Sequence, residues 1–234
     1  MADVLFDFFG TLADYSPSRT EQGYYGASDV LQDLGCNLEY EDWLAMWSAS
    51  SERLDVEANA SGVEFSMHDA FAAFALEAGL VDVPRRHADR FIARYLAEWS
   101  RAVRLIDGVP PLLRRLRLSG RRTGLVTNTH SAAMVHAHLD AMGISGSFDA
   151  VVTFVEAGYR KPRAEIFAAA LSALNTGAEE MIFVGDSFEP DYLGPTRVGI
   201  EAYLIAGRGE DRPAEVPASR VITSVLELEE RLGL

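Results

Sequence analysis

Cysteine and lysine are nearly absent from this chain: each occurs once, as Cys36 and Lys161, and arginine supplies the rest of the positive charge. A single cysteine cannot close an intramolecular disulfide or build a multi-cysteine zinc site, and such usage fits a reducing compartment. A single lysine means that any chemistry demanding a primary ammonium falls on Lys161. Basic residues as a class are also outnumbered, 21 against 35 acidic, for a formal net charge of −14. That balance repels phosphodiester backbones and anionic lipid surfaces, so nucleic acid is not expected as a partner. No apolar run approaches the ~20 residues that span a bilayer, so no membrane association is expected. Asp3 and Asp7 interrupt the N-terminal stretch, which lacks the basic region and apolar centre of a signal peptide. A cytoplasmic location is the resulting expectation.

What the chain does contain is ordinary for a globular protein. Hydrophobic residues at 48% and charged residues at 24% of 234 exclude disorder and fibrous repeats. Val4 to Phe8 is an apolar run broken at Gly10, which reads as a buried strand ending in a tight turn. From about Thr20 to Ser100 apolar residues fall at helical spacing. The sets Val30/Leu31/Leu34, Trp43/Leu44/Trp47, Phe71/Phe74/Ala75 and Phe91/Ile92/Tyr95/Leu96 predict four helices. Ser66 with Asp69 gives the third a capping-box start and Gly79 a stop. After Asp107 a helix over Leu112 to Leu116 ends at Gly120, and strands then alternate with helices. Strands are expected at 123–127, 150–154, 181–184 and 202–205, and helices at 131–142, 164–174 and around 192–198. Val221 and Ile222 suggest a short strand, and Ser224 caps a last helix to Leu232. The Gly- and Pro-rich stretch 207–219 reads as a surface loop. Alternation of this kind predicts an α/β fold whose parallel sheet offers ligands the carboxyl ends of its strands. The core is expected over residues 1–14 and 104–234, with 15–103 inserted as a helical cap that can act as a lid.

Chemistry-bearing residues fall at the expected strand ends. Asp7 precedes Phe8-Phe9-Gly10-Thr11 and presents a carboxylate at a sharp turn, suited to a nucleophile or metal ligand, with an Asx-turn equally open. Thr127 and Asn128 place a hydroxyl and an amide at the end of the next strand, although such residues also cap helices. Lys161, in a loop before a helix, can hold an anion against a carboxylate. Asp186, with Asp191 five residues on, forms a hard-oxygen pair suited to Mg²⁺. His136 and His138, two apart on a helix, face different directions and make no metal pair. Gly207-Arg208-Gly209 lacks a dinucleotide fingerprint, and Ser187 lacks the setting of a nucleophile elbow.

Together VLFDFFGTL at 4–12, LVTN at 125–128, GYRKP at 158–162 and VGDSFEPD at 184–191 resemble, in order and spacing, the four motifs of the haloacid dehalogenase superfamily. The resemblance spans essentially the whole chain, and the helical insertion is similar to the cap of the branch holding dehalogenases and small-metabolite phosphatases. It implies a Rossmann-like core and Mg²⁺-dependent hydrolysis of a small phosphorylated substrate through a covalent aspartyl intermediate. By position, Asp7 is implied as nucleophile and metal ligand, and Thr127 and the Asn128 main chain as holding the transferred group. Lys161 would offset charge, Asp186 would hold the metal directly with Asp191 as a further ligand or an orienter, and the Phe9 carbonyl would complete the metal shell. Arg53 in the cap and His130 are candidates for substrate contact.

One position departs from the pattern. Phe9 stands where phosphatases of the superfamily carry a second aspartate as general acid and base, a role typically worth about 10²- to 10⁴-fold. Dehalogenases have an aromatic residue there, since expelling a halide requires no proton. Asp186 and Asp191 weigh the other way, because two carboxylates beside Asp7 without a cation would oppose an anionic haloacid. The cap arginine of dehalogenases also has Leu38 near its expected position. The expectation is a phosphatase, with His130 as candidate replacement acid. A 2-haloacid dehalogenase-type hydrolase and a catalytically weak phosphometabolite-binding protein are the alternatives.

Overall fold

In the computed structural model, residues 2–16, 22–61, 64–206 and 213–234 are described. The chain divides into two compact units, Met1–Asp14 with Arg104–Leu234, and Tyr15–Val103. The first strand, β1 (Asp3–Phe6), is buried along its whole length, as its unbroken apolar run requires. It stops short of the expected Phe8 because the Phe8 carbonyl accepts the N–H groups of Leu12 and Ala13 at 2.9 and 3.0 Å. These bonds curl the chain into a turn, with Gly10 at φ +87° where a side chain is disfavoured. Strand β2 (Ala13–Asp14) follows, and the chain then leaves for the second unit.

Among its described residues that unit holds four α-helices, α1 (Tyr25–Asp33), α2 (Tyr40–Ser61), α3 (Met67–Glu77) and α4 (Arg85–Trp99). Their apolar faces converge on an aromatic core in which Trp47 meets Phe91 and Phe74 edge to face, with ring centroids 5.2 and 5.8 Å apart. Ser66 and Asp69 form the reciprocal capping box at the start of α3. The N-cap residue of α1, Tyr24, makes no side-chain capping bond. The carboxylate of Glu98, 2% exposed on α4, instead accepts the N–H groups of Gly26 and Ala27 at 2.8 and 3.0 Å. A side chain on Gly26 would collide with it, its Cβ lying 2.8 Å from Glu98 Oε1.

The chain re-enters the first unit at β3 (Arg104–Leu105), paired antiparallel with β2. Exit and return thus lie side by side, so the insertion leaves the core sheet continuous. Helix α5 (Val109–Leu118), β4 (Thr123–Thr127), α6 (Ala132–Ala141), β5 (Ala150–Thr153), α7 (Phe154–Ala157), α8 (Ala164–Leu174) and β6 (Met181–Gly185) follow. A π-helical turn, Phe188–Leu193, runs into α9 (Gly194–Arg197), then β7 (Glu201–Ile205), β8 (Val221–Ile222) and α10 (Leu228–Leu232). Residues 207–212 of the expected surface loop lie outside the described part. Other expected boundaries shift as well: Phe154 begins α7 rather than ending β5, and the helix foreseen around 192–198 is a π-turn joined to one short α-helical turn. The six-stranded sheet is parallel throughout, in the order β5-β4-β1-β6-β7-β8. No helix among the described residues is long and apolar enough to cross a membrane.

Removing the Glu98 carboxylate leaves the buried Ala27 N–H and the half-buried Gly26 N–H at the start of α1 without an acceptor. Glu98→Ala is expected to cost about 1–3 kcal/mol, read as a lowered urea midpoint, and Glu98→Gln, which keeps an acceptor, less.

Candidate functional site

Strand β1 pairs with β4 on one side and β6 on the other, with Phe6 level with both Leu125 and Val184. Their carboxyl ends therefore lie side by side and deliver Thr127, Asp7 and Asp186 to one edge of the sheet. After β1 the chain continues first to β4 and β5 and later returns to β6, so strand order reverses there, where α/β sheets form crevices. The Asp7 N–H is tied to the Val184 carbonyl at 2.9 Å.

Lys161 is 3% exposed, and its Nζ donates to Asp7 Oδ1 at 2.6 Å and to Asp191 Oδ1 at 2.7 Å. It also lies 5.3 Å from the centre of the Phe183 ring. The second oxygen of Asp191 accepts the Ser187 N–H at 3.0 Å. Asp7, Asp186 and Asp191 each bring a carboxylate oxygen within 4.8 Å of the others. Two glycines make this crowding possible. A Cβ on Gly10 would fall 2.3 Å from Asp186 Oδ2, and one on Gly185 2.4 Å from Asp191 Cβ.

Three carboxylates here share one ammonium, so the fully ionised cluster is short of two positive charges. Burial raises the Asp7 carboxyl well above the ordinary carboxylate range; Lys161 opposes the rise, and Asp191 and Asp186 add to it. Burial, followed by the charge of Asp191, pushes Asp186 up to about 6. Burial pulls Lys161 down, but Asp191 and Asp7 outweigh it and hold the ammonium above its usual range. The cluster thus retains its proton on Lys161 and lacks a counter-charge for the carboxylates. Hard oxygen donors with this spacing and charge fit a small divalent cation such as Mg²⁺.

The remaining sequence candidates fall in several places. Thr127 is 1% exposed at the end of β4. The Asn128 amide bonds to the main chain of Lys161, through Oδ1 to its N–H at 2.9 Å and through Nδ2 to its carbonyl at 3.1 Å. The His130 ring packs edge to face on Phe154, with centroids 4.7 Å apart. Phe9 meets Phe8 at 4.7 Å and His138 at 6.2 Å, which places His138 against Phe9. Burial lowers its pKa, and its Nε2 is buried without a hydrogen-bond partner among the described residues. Arg53 belongs to the helical unit, where its guanidinium pairs with Glu77 and reaches Ser50 at 3.5 Å. Sequence reasoning overlooked the roles of Gly10, Gly185 and the Ser187 N–H, although Gly185 directly precedes Asp186 and Gly10 closes the turn after Asp7. It weighed His138 only as a metal partner for His136, and no periodicity brings that residue to Phe9.

The haloacid dehalogenase-like hydrolase family matches the chain over residues 4–199. The chain belongs to this family. Ribulose-1,5-bisphosphate 5-phosphatase of Halopiger xanaduensis is 30% identical over 227 residues, covering 94% of this chain and 90% of that protein. A HAD phosphatase from Thermococcus onnurineus is 25% identical, with a TM-score of 0.67 and coverage of 100% and 98%. The 2-haloacid dehalogenase of Pseudomonas syringae pv. Tomato DC3000, at 22% identity, shares the fold, with a TM-score of 0.73 and coverage of 100% and 99%. Phosphatase and dehalogenase alike are therefore built on the haloacid dehalogenase-like architecture seen here.

The raised Asp186 carboxyl gives a pH signature. Folding binds its proton more tightly than the unfolded chain does, so its stabilising contribution is complete below the ordinary value of 3.8 and is lost as pH rises through about 6. In chelator, Asp186→Asn is expected to melt near wild type at about pH 4 and progressively above it as pH approaches neutrality. Thermal melts across that range check this, and added Mg²⁺ should raise the wild-type midpoint more than that of the variant.

Proposed function

We propose that this chain is a Mg²⁺-dependent phosphatase of a small phosphorylated metabolite, working through an aspartyl-phosphate on Asp7. The observation that carries the reading is the charge of the buried cluster. Fully ionised, Asp7, Asp186 and Asp191 around one Lys161 lack two positive charges, which a divalent cation matches and a halide-releasing site would not need. The near full-length likeness to a bisphosphate phosphatase supports a phosphorylated substrate. Asp186, Asp7 through the oxygen not bonded to Lys161, and the Phe9 carbonyl would hold the cation. Asp191, both of whose oxygens accept hydrogen bonds from Lys161 and Ser187, is better suited to orienting than to direct ligation. When bound, Mg²⁺ supplies neutralisation of the charge on the phosphoryl oxygens and on Asp7.

In the first half-reaction an Asp7 oxygen bonds to phosphorus while the bond from phosphorus to the leaving oxygen breaks, its electron pair departing with that oxygen. The Thr127 hydroxyl and the Asn128 main-chain N–H donate to the phosphoryl oxygens, and the Lys161 ammonium offsets their charge against Asp7. In the second, water attacks phosphorus and passes a proton to surrounding water, the bond between phosphorus and the Asp7 oxygen breaks with its electron pair going to Asp7, and inorganic phosphate leaves with the Asp7 carboxylate restored. Phe9 presents a ring packed on Phe8 and His138 where an acid would protonate the leaving oxygen. Substrates with acidic leaving groups are therefore favoured. The same residue is the observation that favours the second reading, halide displacement from a 2-haloacid.

Phosphate release from an activated aryl phosphate and from alkyl metabolite phosphates, in Mg²⁺ and in chelator, tests the reading. Release is expected to require Mg²⁺, to vanish in Asp7→Asn, and to favour the aryl ester strongly. Phe9→Asp should raise alkyl ester turnover relative to aryl by about 10²-fold, whereas His130→Ala should lower alkyl turnover selectively if that residue is the acid. Halide release without a metal, and no phosphate release from any ester, would assign the site to dehalogenation.

A further inference from the structure

We infer that Asn128 is a positioning residue whose side-chain amide sets Lys161 in line with Asp7 and Asp191. The inference deepens the phosphatase reading and rests on it for its catalytic consequence.

One planar amide takes both main-chain polar groups of Lys161, accepting from its N–H at 2.9 Å and donating to its carbonyl at 3.1 Å. The two bonds resemble one rung of a sheet ladder, and they fix the direction in which the Cα–Cβ bond of Lys161 points as well as its position. Asn128 is itself set by β4, which ends one residue earlier at Thr127. The brace therefore ties the lysine-bearing loop to the strand end that also presents the Thr127 hydroxyl. From another side α9 packs directly on the same loop, because Gly194 has no side chain: a Cβ there would lie 2.9 Å from Pro162 Cα and 3.0 Å from the Phe167 ring.

The need for such support follows from the lysine itself. Its ammonium lies at the end of a flexible four-carbon stem, yet it has to reach two carboxylates at 2.6 and 2.7 Å. A primary amide offers a donor and an acceptor side by side on one short rigid plane, whatever the pH. Aspartate would accept from the Lys161 N–H but would set an oxygen against the Lys161 carbonyl. An amide flipped by half a turn would oppose N–H to N–H and oxygen to oxygen, so the bonding pattern also settles which end is which. With its side chain so engaged, Asn128 has its main-chain N–H to offer a phosphoryl group, and the amide acts through Lys161.

Because Lys161 is the only lysine in the chain, lysine labelled with ¹³C at Cε gives a single resonance that reports on this one side chain. The experiment compares wild type, Asn128→Ala, Asn128→Asp and, as a surface control, His136→Ala. In folded Asn128→Ala the Lys161 signal is expected to shift or broaden and its amine to react several-fold faster with acetic anhydride, as located by peptide mapping. Turnover of the activated aryl phosphate should fall about 10- to 100-fold. Asn128→Asp, which keeps one bond, should fall between this variant and wild type, and His136→Ala should match wild type. A merely stabilising role would lower the melting temperature and leave the Lys161 signal of the folded protein where it was. An unchanged signal and reactivity in folded Asn128→Ala would overturn the inference, whatever the turnover. Should that variant not fold, a wild-type Lys161 signal in Asn128→Asp would do the same. If the wild type releases no phosphate at all, the phosphatase reading fails, while the lysine signal still decides whether Asn128 is the brace.

Discussion

The Lys161 ammonium, buried between Asp7 and Asp191, is the interaction on which the rest of the site depends. Burial penalises every charge in the cluster, and a carboxylate left without a partner there would take up a proton instead. Two of the four charged groups are stabilised by direct bonds to Lys161 and are 154 and 30 residues distant from it in sequence. Asp186 is the member without such a bond to Lys161, and burial and Asp191 push it to about 6. Loss of one partner from a buried pair strands the other, which is why such a lysine is harder to replace than a surface one.

The fold serves this cluster by bringing strand ends together and by clearing space around them. A parallel sheet with β1 at its centre places Asp7 between the ends of β4 and β6. Gly10, Gly185 and Gly194 then allow Asp186, Asp191 and the Lys161 loop to approach within distances that any Cβ would obstruct. The short ribbon of β2 and β3 lets an entire helical unit leave and return without disturbing that sheet. That unit carries its own aromatic core and its own buried cap at Glu98, so its stability is secured internally.

Much of this was legible in the residues, and the exceptions have physical causes. The apolar runs of β1 and β4 and the helical spacing of α1 to α4 are local patterns, and they survive folding because burial on two faces or one is what wrote them. Asp7 and Asp186 were legible because they follow strand ends directly. The π-turn at Phe188–Leu193 was not: it widens the helix locally, with Asp191 buried at 1% within it, and no periodicity signals that. Nor was the Asn128 brace, since an amide at a strand end has many partners open to it and only the tertiary approach of the Lys161 loop selects one. His138 escaped for the same reason, its contact with Phe9 arising between elements more than a hundred residues apart.

Phe9 separates the two chemistries that this architecture hosts, and the charge of the cluster favours phosphoryl transfer. The most direct test is to quench the protein in acid during turnover of an activated aryl phosphate with Mg²⁺ and to map any phosphoryl group by mass spectrometry. The account predicts a phosphoryl group on the peptide carrying Asp7, on the Asp7 carboxylate itself, and absent in chelator. Phosphate released with no adduct on Asp7 at any time, or an adduct on another residue, would contradict it.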